Sequence, residues 1–187
     1  ADGNGIVYTL MDANHRPSKV FYHHIGTEQC DDVLLYDEPD SGFFVGVSRS
    51  RRNDFIEINC HDHQTSEVRL LEATDPTKPA QLVEPRQIEH EYNISAGGDV
   101  LFILTNADGS KDFRIVQTPK DDPGKHNWTE VVPHEPGRLI ISHEAYARHL
   151  VWLERRNALP RIVVKDRATG EEHAIAFDEE AYSLGLQ

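Results

Sequence analysis

Residues 42–86, GFFVGVSRSRRNDFIEINCHDHQTSEVRLLEATDPTKPAQLVEPR, contain four short runs rich in Val, Ile, Leu and Phe, punctuated by Asp, Asn, Pro and Thr. FFVGVSRS, DFIEINC and SEVRLLEA change texture too quickly for a helical stripe and read as strands. In SEVRLLEA, alternation places Val68 and Leu70 on one buried face. The more polar AQLVEP closes the unit. Four antiparallel strands in about 40 to 50 residues form the period of a propeller blade.

The same grammar recurs in 88–136 and 139–180. LFILT and LVWLE stand where FIEIN stands, DFRIVQTP and PRIVVKDR replace SEVRLLEA, and WTEVVPH and EEHAIAF close their units as AQLVEP does. YNISAG and RLIISHEA open them. Asp108-Gly109, Gly97-Gly98 and Thr169-Gly170 fall at reversals, where left-handed backbone is needed. Before the first full unit lie GIVYTLMD, SKVFYHHI and DVLLYDE, a blade without its first strand. Tyr182-Ser183-Leu184 reads as the apolar start of another. The expected fold is therefore all-β: a partial β-propeller of about four blades, each a four-stranded antiparallel sheet. Its divisions are an incomplete blade at 1–41, whole blades at 42–87, 88–137 and 138–180, and the start of the next at 181–187. A β-sandwich also alternates strands and turns, but it has no reason to repeat a four-strand unit at constant period.

Composition narrows the function classes. The 187 residues, 38% hydrophobic and 27% charged, suffice for a core. Lys and Arg number 19 against 32 Asp and Glu, a net charge of -13 that repels phosphate backbones, so no nucleic-acid partner is expected. Neither a run of about 20 apolar residues nor a basic-then-apolar leader is present, so no membrane partner is expected. Cys30 and Cys60 are too few for a disulfide framework, which points to the cytoplasm. The chain starts at Ala1, holds its one methionine at Met11 and breaks off in AYSLGLQ, as a piece of a longer protein would. Open blade ends then expose edges and faces, and self-association through them is expected.

The strings YTLMDANHRPSKVFYHHIGT, VLLYDEPDSGFFVGVSRSRR, TSEVRLLEATDPTKP, FILTNADGSKDFRIVQTP, NWTEVVPHEP, HLVWLERRNALPRIVV and ATGEEHAIAFDEEAYSLGL resemble the N-terminal propeller of the oligopeptidase B (protease II) group of the prolyl oligopeptidase family. The resemblance runs essentially end to end. It implies a seven-bladed propeller joined in the same parent chain to an α/β-hydrolase domain with a Ser, Asp, His triad. It also implies cleavage of short basic peptides after Lys or Arg, with the propeller covering the active site and excluding folded proteins.

The residues themselves offer little catalytic chemistry. A nucleophile elbow needs G-x-S-x-G; Gly46-Val47-Ser48-Arg49-Ser50 lacks the second glycine and lies in a strand, so Ser48 is not assigned as a nucleophile. His61 and His63 would share a face if both stood on a strand, with Asp62 or Cys60 assisting a metal, but a polar hairpin turn between FIEIN and SEVRLL is the expected reading. His23 and His24 point to opposite faces. Asp31, Asp32, Asp37, Glu38, Asp40, Glu171, Glu172, Asp178, Glu179 and Glu180 read as solvated turn and strand-end carboxylates rather than acid/base pairs. Arg49, Arg51, Arg52, Arg155 and Arg156 read as inter-blade or interdomain ion-pair partners. Asn93-Ile94-Ser95 and Asn127-Trp128-Thr129 match the glycosylation sequon by chance, and Trp128 and Trp152 are expected to fill space between blades. No catalytic, cofactor-binding or metal residue is assigned, and no cofactor is expected. The leading expectation is a non-catalytic propeller segment that gates and size-selects peptides for a distant triad. The alternative is a stand-alone propeller-like scaffold that binds a protein or peptide.

Overall fold

The computed structural model describes residues 3–178 and 183–186 of the chain. Glu179, Glu180 and Tyr182, used above in the acidic group and in the start of a further blade, lie outside the described residues. The chain divides into two compact units, Ala1–Glu91 and Tyr92–Gln187.

In the first unit, β1 (Gly5–Met11), β2 (Pro17–His24) and β3 (Val33–Asp37) form a three-stranded sheet in sequence order. The strands β4 (Phe44–Arg49), β5 (Phe55–His61), β6 (Ser66–Glu72) and β7 (Gln81–Leu82) form a four-stranded one. In the second unit, β8 (Tyr92–Ala96), β9 (Val100–Thr105), β10 (Arg114–Pro119) and β11 (Thr129–Val132) make one four-stranded sheet. A second is made by β12 (Arg138–Ala145), β13 (His149–Arg156), β14 (Leu159–Asp166) and β15 (Glu172–Ala174). Among the described residues every pairing joins neighbours in sequence and is antiparallel, as short connections require.

Local chemistry explains the reversals. Gly98 (φ 96°), Asp108 (φ 57°), Gly109 (φ 79°) and Gly170 (φ 77°) take the left-handed backbone anticipated for them. The hairpin between β13 and β14 is made without glycine. Asn157 (φ 51°) and Ala158 (φ 67°) bridge the Arg156–Leu159 pair in the two-residue form that twisted strands favour.

In β5 the period of two is clean, with Ile56, Ile58 and Cys60 buried. In β6 it is not. Val68 and Leu70 are buried as expected, but Glu67 and Leu71 on the opposite face are buried too. A strand covered on both faces loses one-sided alternation. The outermost strands β7 (Gln81–Leu82) and β15 (Glu172–Ala174) are shorter than AQLVEP and HAIAFDEE suggested.

Each unit has its own core between its two sheets. Val20 of β2 packs with Val45, Ile56, Ile58, Cys60, Leu71 and Ala73 in the first. In the second, Phe102, Leu104 and Ile115 meet Ile140, Leu150, Trp152 and Val163. Trp152, 1% exposed, fills the space between sheets and donates its indole N–H to Glu154 at 2.8 Å. Trp128 packs edge-on against Tyr92 of β8, 6.5 Å between centroids, and donates its indole N–H to the Pro123 carbonyl at 2.9 Å.

Gly97 allows the second core to close, because a Cβ there would lie 2.6 Å from the ring of Phe102, itself 3% exposed. Gly97→Ala is expected to cost about 1 to 3 kcal/mol through overpacking. An unchanged urea midpoint would show that the ring yields freely.

Candidate functional site

Ser48 sits exposed near the end of β4, where its hydroxyl donates to Glu57 at 3.2 Å and accepts from the Asn59 amide at 3.0 Å. His61 and His63 do not share a strand face: β5 ends at His61, whose ring tilts against Phe44, and Asp62 starts a turn. The Asp62 carboxylate accepts the backbone N–H of Gln64 at 2.8 Å and of Thr65 at 2.6 Å, which holds its pKa below the usual aspartate value. Cys60, one residue before His61, faces the core. Burial pushes its thiol up to about 11. Among the described residues no three His, Cys, Asp or Glu side chains come together as a metal-holding group.

Two carboxylates expected in solvent are not there. Asp32 accepts from Tyr8 at 2.7 Å and lies 2.6 Å from Nδ1 of His23, with its side chain 4% exposed. The tyrosine hydroxyl, then His23, keep its pKa low against the opposing effect of burial. Glu38 is the second, its side chain 1% exposed. Of the remaining flagged acids, Asp37 pairs with Lys19 and Glu172 with Lys165, both at 2.7 Å, and Asp40 caps the N–H of Gly42 at 2.8 Å. Asp31, Glu171 and Asp178 are exposed.

Glu38 anchors a polar network inside the first unit. Arg86 binds it through two nitrogens, at 2.8 and 3.1 Å, and lies 3.3 Å from Glu67. Tyr36 donates to Glu38 at 2.8 Å, and the Arg86 guanidinium stacks 4.0 Å from the Phe43 ring centroid. Burial alone would raise the Glu38 pKa, but Arg86, the Asp40 N–H and Tyr36 together hold it below its ordinary value. The network joins the three-stranded sheet to its four-stranded neighbour.

The second unit has a more exposed ion pair at its own Glu-Pro step, Glu135-Pro136. Glu135 takes both terminal nitrogens of Arg156, at 2.7 and 2.8 Å. Sequence reading anticipates Arg156 as a bridging group and misses Arg86. Arg52 makes only a local pair with Asp54 at 3.7 Å. The overlooked signal is a Glu-Pro step after three of the four outer strands, at Glu38-Pro39, Glu84-Pro85 and Glu135-Pro136.

Each unit also has a cleft between its sheets at the same place in the repeat. In the first, about 270 Å3 lies between Gly5, Val7 and Tyr22 on one side and Val47, Ile56 and Ala73 on the other. In the second, about 390 Å3 is lined by Phe102, Val131 and Leu150, with Arg148, Lys165 and Arg167 around the opening. Among the described residues no carboxylate lines either cleft. These clefts can hold a small apolar group, and the second adds positive charge.

Comparison with known proteins gives a consistent result. The family described as "Prolyl oligopeptidase, N-terminal beta-propeller domain" matches residues 1–186. Dipeptidyl aminopeptidase BI of Pseudoxanthomonas mexicana is 36% identical over 99% of this chain and 25% of its own length. Protease 2 of Moraxella lacunata is 30% identical over 98% of this chain and 26% of its own length. Among solved structures, oligopeptidase B from Trypanosoma brucei, in a closed form with covalently bound antipain, superposes with a TM-score of 0.87 at 30% identity. That match covers 95% of this chain and 26% of the other. Oligopeptidase B from Leishmania major superposes with a TM-score of 0.89 at 24% identity, over 96% of this chain and 26% of the other, and supports the fold. The chain thus spans about a quarter of the length of these relatives.

Proposed function

Because this chain belongs to the prolyl oligopeptidase N-terminal β-propeller family, we propose that it is a non-catalytic propeller segment of a cytoplasmic serine oligopeptidase. In this reading its four sheets belong to a seven-bladed ring. Residues 1–41 form an incomplete blade, 42–87, 88–137 and 138–180 are whole blades, and 181–187 begin another. The ring gates an α/β-hydrolase domain of the same parent chain, admits short peptides and excludes folded proteins, and the parent cleaves after Lys or Arg. The observation that carries this reading is the family match over residues 1–186, in a chain a quarter as long as its peptidase relatives. A gate of this kind works by opening between domains, so specificity comes from exclusion.

A chromogenic dibasic peptide tests it. The 187-residue chain should leave the peptide intact, and the full-length parent should hydrolyse it and be stopped by a serine-directed phosphonylating reagent. Hydrolysis by the isolated chain would overturn the assignment of the chemistry to another domain.

The 36% identity to a dipeptidyl aminopeptidase favours a second reading, release of dipeptides from a free N-terminus. Blocking the N-terminus of the substrate separates the two. Cleavage of the blocked peptide after its basic residue supports the oligopeptidase reading, and cleavage of the unblocked form alone supports the dipeptidyl one.

A further inference from the structure

The two inter-sheet clefts have the same framework and different chemistry. Phe55–Glu72 and Ile56–Leu71 are successive pairs of the β5–β6 ladder, and His149–Asp166 and Leu150–Lys165 are their counterparts in β13–β14. Lys165 therefore occupies the repeat position of Leu71, and Arg167 that of Ala73. In the first unit both positions belong to the apolar core, at 1% and 5% exposure. A blade can evidently be built with apolar residues at these positions. The fold does not demand cations there.

Their environment favours an anion. Arg167 is fixed by carbonyls, its Nη1 donating to Tyr146 at 3.0 Å and Ala147 at 3.3 Å and its Nη2 to Gly97 at 2.7 Å, with the guanidinium 5.1 Å from the centroid of Phe102. Among the described residues no carboxylate pairs with it. Lys165 donates to Glu172 at 2.7 Å and lies 3.4 Å from the carbonyl of Val131. Arg148, 80% exposed, reaches Asp166 only at 3.7 Å, and its side chain has room to swing. In a chain of net charge -13, three cations line this cleft with, among the described residues, no carboxylate in the lining itself, although Glu172 and Asp166 stand beside Lys165 and Arg148 outside it. Beside the cations, the half-buried Val100 and Val131 provide an apolar wall, backed by the buried Phe102 and Leu150.

We propose that this cleft of the second unit binds the C-terminal carboxylate of a short peptide whose last side chain is apolar, with the side chain against the half-buried Val100 and Val131 and the carboxylate toward Arg148, Lys165 and Arg167. A C-terminus is the one feature of a peptide that joins a carboxylate to an apolar side chain on a single carbon. The site needs no catalytic domain, so its test is independent of hydrolysis.

The experiment titrates the 187-residue chain with Ala-Ala-Phe as free acid and as C-terminal amide, following the backbone amide signals of Gly97, Ala147 and Ala168 by NMR. The free acid should bind about tenfold more tightly than the amide, the worth of one charge-assisted contact. Arg148→Ser combined with Lys165→Gln leaves the Arg167 clamp in place. It should abolish most of that difference while leaving the thermal melt and the weak amide binding unchanged. Inorganic phosphate at equal concentration should not displace the acid. Equal binding of acid and amide, no binding by either, an unchanged preference in the double variant, or displacement by phosphate would each overturn the proposal.

Discussion

Replacing Arg86 with methionine is expected to destabilise the chain by about 3 kcal/mol at pH 7, the low end of the range for removing one member of a buried ion pair. The guanidinium is itself a quarter exposed, which argues for the low end, but its partners are not. Glu38 has 1% and Glu67 6% of its side chain exposed; Glu38 would lose its arginine, and Glu67 would keep Arg69 at 2.9 Å. Methionine keeps the packing on Phe43 and removes only the charge and its hydrogen bonds. The penalty should depend on pH. With Arg86 present, the Glu38 pKa lies below its ordinary 4.5, so its contribution is complete above that value and fades as pH falls through the folded value. Removing Arg86 takes away the largest influence that lowers it and leaves burial opposed only by the Asp40 N–H and Tyr36, so the carboxylate is expected to take up a proton at a higher pH than before. The destabilisation should then be smaller at pH 5 than at pH 7. Adding Glu38→Gln to the variant should recover part of the loss at pH 7. Urea unfolding of the three proteins at both pH values decides the matter. A single-variant effect below about 1 kcal/mol would mean that the network behaves as an ordinary surface pair.

The second large effect is expected from acid. His143 of β12 is buried, with Nε2–H donating to the Phe102 carbonyl at 3.0 Å and Nδ1 without a partner. Protonation would place an N–H, and a charge, where no acceptor waits. Burial accordingly lowers its pKa from 6.5 to about 4, against the carbonyl's small opposing effect. Between those values the unfolded chain binds a proton that the folded chain refuses. Stability from this residue is therefore complete above pH 6.5 and is lost progressively down to about pH 4. A tenfold difference in proton affinity between the folded and unfolded chains is worth about 1.4 kcal/mol, so the loss approaches roughly 3 kcal/mol at the acid end. His143→Gln, which keeps a donor for Phe102, should remove this part of the pH dependence. If the unsubstituted chain and the variant lose stability in parallel across that acid range, His143 is not the group responsible.

Both predictions concern contacts that join one sheet to the next, where the sequence is hardest to read. The strands themselves are legible because burial within a sheet acts through near neighbours. Ile56, Ile58 and Cys60 alternate with Phe55, Glu57 and Asn59, and turn residues such as Gly98 and Asp108 carry their own conformational preference. Recurrence of that pattern in 42–86, 88–136 and 139–180 is enough to indicate a propeller. The candidate sites are less legible. His61 and His63 look like a pair only if strand geometry is extended too far, into the turn that Asp62 closes by itself. Asp32 and Glu38 look like surface acids because their neighbours in sequence are acidic. Their partners, His23 and Tyr8 in one case and Arg86 in the other, lie elsewhere in the chain.

The sequence alone therefore determined the all-β character, the four-strand period and the resemblance to the peptidase propeller. These depend on side-chain alternation, on turn chemistry and on strings of adjacent residues. Tertiary structure decided which charges are buried, which arginine meets which carboxylate, and that Lys165 and Arg167 stand around a cleft where Leu71 and Ala73 fill a core. Those outcomes depend on distances between residues far apart in the chain, such as Glu38 and Arg86 or Gly97 and Arg167. Only the packing of one sheet on another sets those distances.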